Sequence, residues 1–523
     1  MKEKLIQINK AEPYFFYLFV LLNLLPVLSF KYFPTVDGPA HLYNSKIITE
    51  LVTDSNSALT QYFSFNDHIS PNWTGHLILS FFLLFLPAFL AEKIILLCWL
   101  IGFPLSIRYL YKTLGITTNY SIYLIFPFTY SYLFYFGFYN FNIALVLYFI
   151  ALSSVIRFGN DYSAKRAIKL MLISTLICMS HLFIFAILLL TIFFFKLKDI
   201  VILFKCEKQV RSDLIKHFLV LFFSILPGLI ILVKFAFTGN SGVNSSVYLS
   251  VGDILNSLKY IMPAKGINYD EYSVVTRLLL YIFTFLILYH TLSAIYQKIV
   301  NKRNILKNTT WILLSLLILL LTFILPDSNA SFGFISSRFM LIFFLFLIIS
   351  IGSQKLPISF QVLLFVVINF VNFSILVHNY RSVSNGCLLS KEIITASKLI
   401  KPYSTILPVN TSEKHLYSHI SNYLGSEKPV VILENYEATL DYFPLKWNYR
   451  ELPECFGTNQ NYAFDLMNPH TYSYNPCIDY ILFVSDKSSK KDKSIMQSID
   501  NDYVLLFADK DSVIQLMKNK NAP

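Results

Sequence analysis

The sequence predicts a polytopic α-helical membrane protein, with about 11 transmembrane helices and a C-terminal extracytoplasmic α/β domain. Three observations carry this. Of 523 residues, 55% are hydrophobic and only 14% charged, where soluble domains carry about 25% charge. Apolar stretches near 20 residues, the length that crosses a bilayer, recur as far as residue 378. From residue 380 the composition becomes that of a soluble chain. The same figures exclude a disordered chain, a coiled coil, a collagen-like fibre and a small disulfide-stapled scaffold.

The net charge of +12 is unevenly placed. Residues 1–379 hold 28 Lys+Arg against 15 Asp+Glu, whereas residues 380–523 hold 15 against 16. A basic excess lying between apolar segments orients a membrane protein. No basic patch with interleaved aromatics suggests nucleic acid as a partner.

Spans are expected near 14–33, 92–112, 118–138, 141–157, 166–182, 183–200, 215–236, 274–297, 309–325, 336–352 and 357–378. The first follows lysines, as a signal peptide would, but no small-residue cleavage site follows it, so it reads as a retained span. Segment 76–91 is also apolar, yet short and interrupted by Pro87. If it lies in the interface, Arg and Lys gather in alternate loops, among them Arg108/Lys112, Arg157 to Lys169, Lys196 to Lys216 and Lys298 to Lys307. If it crosses, that asymmetry collapses. The N-terminus is therefore expected in the cytoplasm, with loop 34–91 and the tail outside, as in a bacterial inner (plasma) membrane protein. Residues 1–379 then form the transmembrane domain and 380–523 the outer one. The aromatic cluster 130–139 (YSYLFYFGFY) reads as an interfacial belt, with a sugar-stacking wall as the sharper alternative.

In the tail, strands are expected at 404–409, 430–433, 479–484 and 503–507, alternating with helical patterns at 388–400 and 414–424. That alternation suggests a partly parallel sheet. Neither GxGxxG nor GxxxxGK[ST] occurs, so nucleotide binding has no support. Cys455 and Cys477 are a possible disulfide in an oxidising compartment, against free buried thiols; Cys387 is the third tail cysteine, and no CxxC or His cluster suggests a structural metal.

The stretch richest in chemistry is Phe33-Pro34-Thr35-Val36-Asp37-Gly38-Pro39-Ala40-His41-Leu42-Tyr43-Asn44. Pro39 suits the first turn of a helix. Asp37 then stands where a cap would, or serves as a general base whose pKa is raised by partial desolvation. His41, four residues on, could orient that carboxylate or contact phosphate. Arg338, in Ser336-Ser337-Arg338-Phe339, is the first candidate cation for a phosphate, or else a snorkelling interfacial residue; Arg277 and Lys265 are weaker ones. Asp67, His68 and His76 are candidates for a second acidic group or an acceptor contact. A divalent cation held by Asp37, Asp67 and His68 is conceivable, although no metal ligand set is fixed by spacing. His181 near a turn reads as packing or a pocket residue. Glu434-Asn435-Tyr436-Glu437 and Tyr442-Phe443-Pro444-Leu445-Lys446-Trp447 read as a structural loop or an acceptor contact.

One span, a long outer loop that opens on an acidic residue, amphipathic segments ending near Pro71-Asn72-Trp73-Thr74-Gly75-His76-Leu77, many more spans and an outer domain together resemble the GT-C superfamily of membrane glycosyltransferases. That group includes protein O-mannosyltransferases and aminoarabinose transferases. The resemblance puts Asp37 at the family's first-loop catalytic acid, although Gly38 stands where protein mannosyltransferases carry a second acidic residue. It implies a polyprenyl-phosphate-linked sugar as donor, an extracytoplasmic lipid, glycan or protein as acceptor, and inverting transfer at the outer face. The alternatives are a flippase or transporter of lipid-linked glycans, or a non-catalytic subunit of the same fold. Paired Gly/Pro-broken helices in matching halves, which would favour transport, are not seen.

Overall fold

The computed structural model describes residues 2–67, 70–116, 120–158, 163–203, 208–238, 246–266, 273–299, 310–329, 333–354, 356–450, 477–485, 495–497 and 500–521. Its helices are α1 (Lys2–Ser29), α2 (Gly38–Thr53), α3 (Thr74–Leu83), α4 (Ala88–Thr113), α5 (Tyr132–Tyr135), α6 (Tyr139–Phe158), α7 (Ala164–Ser180), α8 (Leu182–Leu203), α9 (Lys208–Thr238), α10 (Val251–Lys259), α11 (Ser273–Ile299), α12 (Thr310–Ile324), α13 (Ile335–Gly352) and α14 (Ile358–Ser397). The strands are β1 (Phe63–Phe65), β2 (Thr405–Asn410), β3 (Val431–Ile432), β4 (Leu445–Trp447), β5 (Tyr480–Val484), β6 (Tyr503–Ala508) and β7 (Ile514–Asn519).

Among the described residues seven helices are long and apolar enough to cross a membrane: Ala11–Ser29 within α1, α4, Tyr139–Arg157 within α6, Leu214–Phe235 within α9, Val274–Ser293 within α11, α13 and α14. Three further apolar helices are shorter, at Thr74–Leu83, Leu182–Leu197 and Thr310–Ile324. The chain is an integral membrane protein of mostly helical structure. The expected span 118–138 is corrected: it is a tight 3₁₀ stretch, Tyr120–Phe128, followed by the four-residue α5. Pro127 explains part of this, because it lacks an N–H and disfavours α geometry in the residue before it. Segment 76–91 is two elements: α3 stops at Leu83, and α4 starts at Ala88, just past Pro87.

Two compact units are discontinuous in sequence. The first comprises residues 1–26, 98–134 and 141–380; the second comprises 27–97, 135–140 and 381–523. The first unit is organised around α13, of which 89% is buried. Its neighbours are fixed to its backbone by small hydroxyl groups and phenols: Ser315 donates to the Phe343 carbonyl at 3.2 Å, and Tyr111 to that of Ile348 at 3.0 Å. Gly352 admits the Tyr111 ring, which a Cβ there would meet at 2.5 Å. An ionised group in apolar surroundings needs a partner, and Arg108 has a bidentate one in Glu12, at 2.9 and 2.8 Å.

The second unit holds a five-stranded sheet of order β3-β2-β5-β7-β6. Strand β2 runs parallel to β3 and β5, while β7 is antiparallel to both β5 and β6. The four strands read from the sequence are therefore present, and the sheet is partly parallel as the alternation suggested. The pattern at 388–400 is the last part of α14, whereas 414–424 forms two short 3₁₀ turns, His415–Tyr417 and Ile420–Gly425, instead of an α-helix. A separate ribbon pairs β1 with β4, with the Phe63 and Trp447 rings 4.5 Å apart. Cys477 is disulfide-bonded and Cys387 is a free buried thiol; Cys455 lies outside the described residues.

Helix α2 is buried along most of its length and locks to the tail through polar groups as well as packing. The Tyr43 hydroxyl donates to the Val430 carbonyl and accepts from the Ile432 N–H, both at 2.9 Å. Asn44 and Asn435 exchange amide hydrogen bonds at 2.9 and 2.8 Å. Tyr43→Phe strands a buried carbonyl and a buried N–H, so it should destabilise the fold by about 1–3 kcal/mol. A melting temperature equal to wild type would contradict that role for the hydroxyl.

Candidate active site

The turn that carries Asp37 is built by two segments of the second unit. Val36 and Asp37 donate their N–H groups to the carbonyls of Tyr135 and Phe136, at 2.8 and 3.0 Å. Gly137 makes this approach possible: its φ is +81°, and a Cβ there would lie 2.6 Å from Thr35 Oγ1 and 2.7 Å from the Gly38 nitrogen. Gly38 is just as confined, because its Cβ would meet the Tyr139 hydroxyl at 2.3 Å.

Asp37 occupies the N-cap position of α2, but its carboxylate makes no capping bond. The capping expectation is corrected here. Thr35 takes over the task, its Oγ1 accepting the Gly38 N–H at 3.1 Å. The Thr35 hydroxyl is also 3.3 Å from that of Tyr139, which donates to Glu92 at 3.3 Å. Glu92 is 1% exposed and accepts from the Tyr423 hydroxyl at 3.0 Å on each oxygen. A buried carboxylate is thus held by two phenols, and the lattice of hydroxyls fixes the turn without using Asp37.

The freed Asp37 carboxylate is 18% exposed. The Tyr436 hydroxyl stands close enough to favour its ionised form. His419 Nε2 stands 3.9 Å from the carboxylate, too far for a direct hydrogen bond but close enough for attraction between charges. Behind the imidazole, Nδ1 is 3.0 Å from Glu434, which also accepts from Ser421 at 2.7 Å and Asn422 at 3.2 Å. The His419 ring lies against Tyr436, with centroids 4.6 Å apart.

Burial raises the pKa of Asp37 above that of an ordinary aspartate, and the nearby imidazoles of His419 and His41 offset only part of the rise. Burial pulls His419 the other way, but Glu434, Asp37 and Glu437 outweigh it, so its pKa is raised and the imidazolium is favoured. Burial also keeps the Tyr436 phenol protonated, well above its usual range. The result is a carboxylate beside a phenol and an imidazole that favours its cationic form, and not wholly covered by protein.

Next to it, His41 and His76 share one carboxylate. His41 Nδ1 lies 2.6 Å from Glu437 Oε1, and His76 Nε2 lies 2.7 Å from Oε2. All three side chains are buried, and Glu437 is 1% exposed. Although burial opposes ionisation of Glu437, the two imidazoles overcome it and hold its pKa below the usual carboxylate range. Among the described residues these three form a group whose ligand atoms, all within 4.8 Å of one another, suit a metal ion.

The sequence-derived candidates divide between the units. Asp37, His41 and His76 come together in the second, with His41 turned to Glu437. Asp67 is engaged by Lys446 Nζ at 2.5 Å, and His68 lies outside the described residues, so the conceived set of Asp37, Asp67 and His68 finds no support in the geometry of Asp67. Arg338, Lys265 and Arg277 belong to the first unit. There Arg338 donates to the Gly333 carbonyl at 2.7 Å and lies 5.7 Å from the Phe141 ring centroid, Lys265 sits 4.7 Å from that of Tyr260, and Arg277 is exposed on α11. His181 packs edge-on against Phe141 at 5.4 Å, which is the packing reading. His419, Glu92 and Tyr139 were not singled out from the sequence. Glu92 carried a usable signal, an acidic residue inside an apolar stretch; His419 carried none, because its partners are remote in the chain.

No protein-family model and no curated protein matches the chain. Among solved structures it is similar to ArnT from Cupriavidus metallidurans in the apo state, with a TM-score of 0.48 and 9% sequence identity, over 97% of this chain and 98% of that one.

Glu437→Gln keeps the size of the side chain and removes the charge that two buried imidazoles face. Breaking a buried charged cluster in this way should cost about 3 kcal/mol or more, read as a lowered melting temperature of the purified protein. Unchanged melting would show that the cluster does not hold the fold.

Proposed function

We propose that this protein is a glycosyltransferase of the GT-C kind. It moves a sugar from a polyprenyl-phosphate-linked donor to an extracytoplasmic lipid, glycan or protein, with the N-terminus cytoplasmic and the reaction at the outer membrane face. The observation that carries this reading is the Asp37 carboxylate, released from capping by Thr35 and left 18% exposed beside Tyr436 and His419. In the reaction Asp37 accepts the proton of the acceptor hydroxyl or amine. The nucleophile bonds to the anomeric carbon as the bond from that carbon to the phosphate oxygen breaks, the electron pair leaving with the polyprenyl phosphate. Inversion follows from attack opposite the leaving group. His419 is a positioning residue: backed by Glu434, it attracts the ionised form of Asp37. Arg338, Lys265 and Arg277 remain the candidate phosphate contacts, because a guanidinium or ammonium group suits an anionic leaving group.

A base must be ionised to work. Activity should therefore fall as the pH drops through the Asp37 pKa, which lies above the ordinary value of 3.8. Asp37→Asn should reduce kcat by about 100-fold or more, the usual contribution of a general base. His419→Gln removes the cation that holds the Asp37 pKa down, so the acid limb of the pH–rate profile should move to higher pH. Transfer from a polyprenyl-phosphate sugar by the purified protein is the assay. Full activity in Asp37→Asn would exclude the proposed base, and an acid limb that stays in place or moves down in His419→Gln would exclude the positioning role.

A further inference from the structure

We propose that His41, His76 and Glu437 form a binding site for a zinc-type divalent ion, with three protein ligands and a fourth position left to water. The ligands come from the first turns of α2 and α3 and from the start of the 3₁₀ turn Glu437–Thr439. They are 5%, 1% and 1% exposed. Three polar ends turned toward one another, away from solvent, need a charge to bind or a complete set of hydrogen bonds.

The hydrogen bonds are incomplete. His76 Nε2 and Glu437 Oε2 form one at 2.7 Å. His41 Nδ1 and Glu437 Oε1 are 2.6 Å apart, yet they are not aligned as donor and acceptor, and each is buried without a hydrogen-bond partner. Each therefore has bonding capacity that no hydrogen bond uses, the condition of an atom that can ligate an ion. A tetrahedral ion 2.0–2.2 Å from each ligand holds them about 3.4 Å apart; the two nitrogen–oxygen separations are 2.6 and 2.7 Å and all the ligand atoms lie within 4.8 Å of one another, so side-chain shifts of under about 1 Å at these pairs admit the ion.

The surroundings agree. The Gly137 backbone lies beside the His41 ring, where an outer contact would orient a metal-binding imidazole. Phe443 packs near both rings, at 6.0 Å from His41 and 5.4 Å from His76, which keeps the cluster dry. Two imidazoles and one carboxylate select zinc-type ions over magnesium or calcium, which prefer all-oxygen shells. The consequence is mechanical: an ion here ties α2 to α3 and to the Glu437 turn, one helical turn beyond Asp37.

The test needs no sugar donor, so its outcome is separate from that of the transferase reading. The full-length protein in detergent is stripped with a chelator, then titrated with Zn²⁺ alone and with Co²⁺ alone. Metal content, the visible absorption of bound Co²⁺ and the melting temperature are recorded. Expected are one ion per chain, a tetrahedral Co²⁺ spectrum, and melting raised by roughly 3–6 °C at saturating Zn²⁺. His76→Gln, of similar size, should weaken binding by about tenfold or more. A stripped wild-type protein that takes up neither ion at one per chain overturns the proposal and leaves a His–Glu–His cluster without metal. So does a His76→Gln protein that binds as wild type. If that variant does not fold, the wild-type titration decides alone.

Discussion

Glu437 sits between two imidazoles with almost no access to water, and the joining of α2, α3 and the C-terminal turn at this point depends on it. One carboxylate brings together a residue of α2, a residue of α3 and a turn of the C-terminal segment. Isolated in apolar surroundings it would take up a proton; with His41 and His76 against it, the charged form is favoured and its pKa falls. Removal of any one member leaves the others buried and unmatched, which is why the three act as one unit.

The turn before α2 solves a second problem. A helix N-terminus offers unsatisfied N–H groups, and an aspartate at the N-cap normally accepts one of them. Here Thr35 accepts that of Gly38 instead. Asp37 supplies its backbone carbonyl to His41 N–H at 3.0 Å and keeps its carboxylate for Tyr436, His419 and whatever reaches the exposed edge. Gly137, at positive φ, lets the two strands of chain approach closely enough for this. Capping thus falls to Thr35, and the Asp37 carboxylate two residues on in the same turn is left free of it.

Much of this was legible in the sequence where the signal is local. Hydropathy located seven long apolar helices, β-rich runs located four strands of the tail, and the Asp37-Gly38-Pro39 turn announced a helix start with an acid beside it. Periodicity failed at 118–138, where apolar length suggested a span but Pro127 and the Tyr-rich chain form a 3₁₀ stretch. Strand β7 escaped because its alternation, Ile-Gln-Leu-Met-Lys-Asn, is short and charged at its end. The site was half legible. Asp37, His41 and His76 lie within 40 residues of one another, whereas Glu437 joins His76 across 361 positions and His419 meets an acid of α2's turn from the far end of the chain. Composition and spacing hold no information on such pairings; only the fold supplies them.

In the proposed reaction the Asp37 carboxylate receives a proton from an acceptor attacking a lipid-linked sugar. This step is tested most directly by an experimental structure in a lipid bilayer with a non-hydrolysable polyprenyl-phosphate sugar analogue and an acceptor bound. The nucleophilic atom of the acceptor is expected within about 3 Å of the Asp37 carboxylate, with the anomeric carbon next to it. An analogue seated elsewhere, with Asp37 closed off from it by protein, would contradict the account.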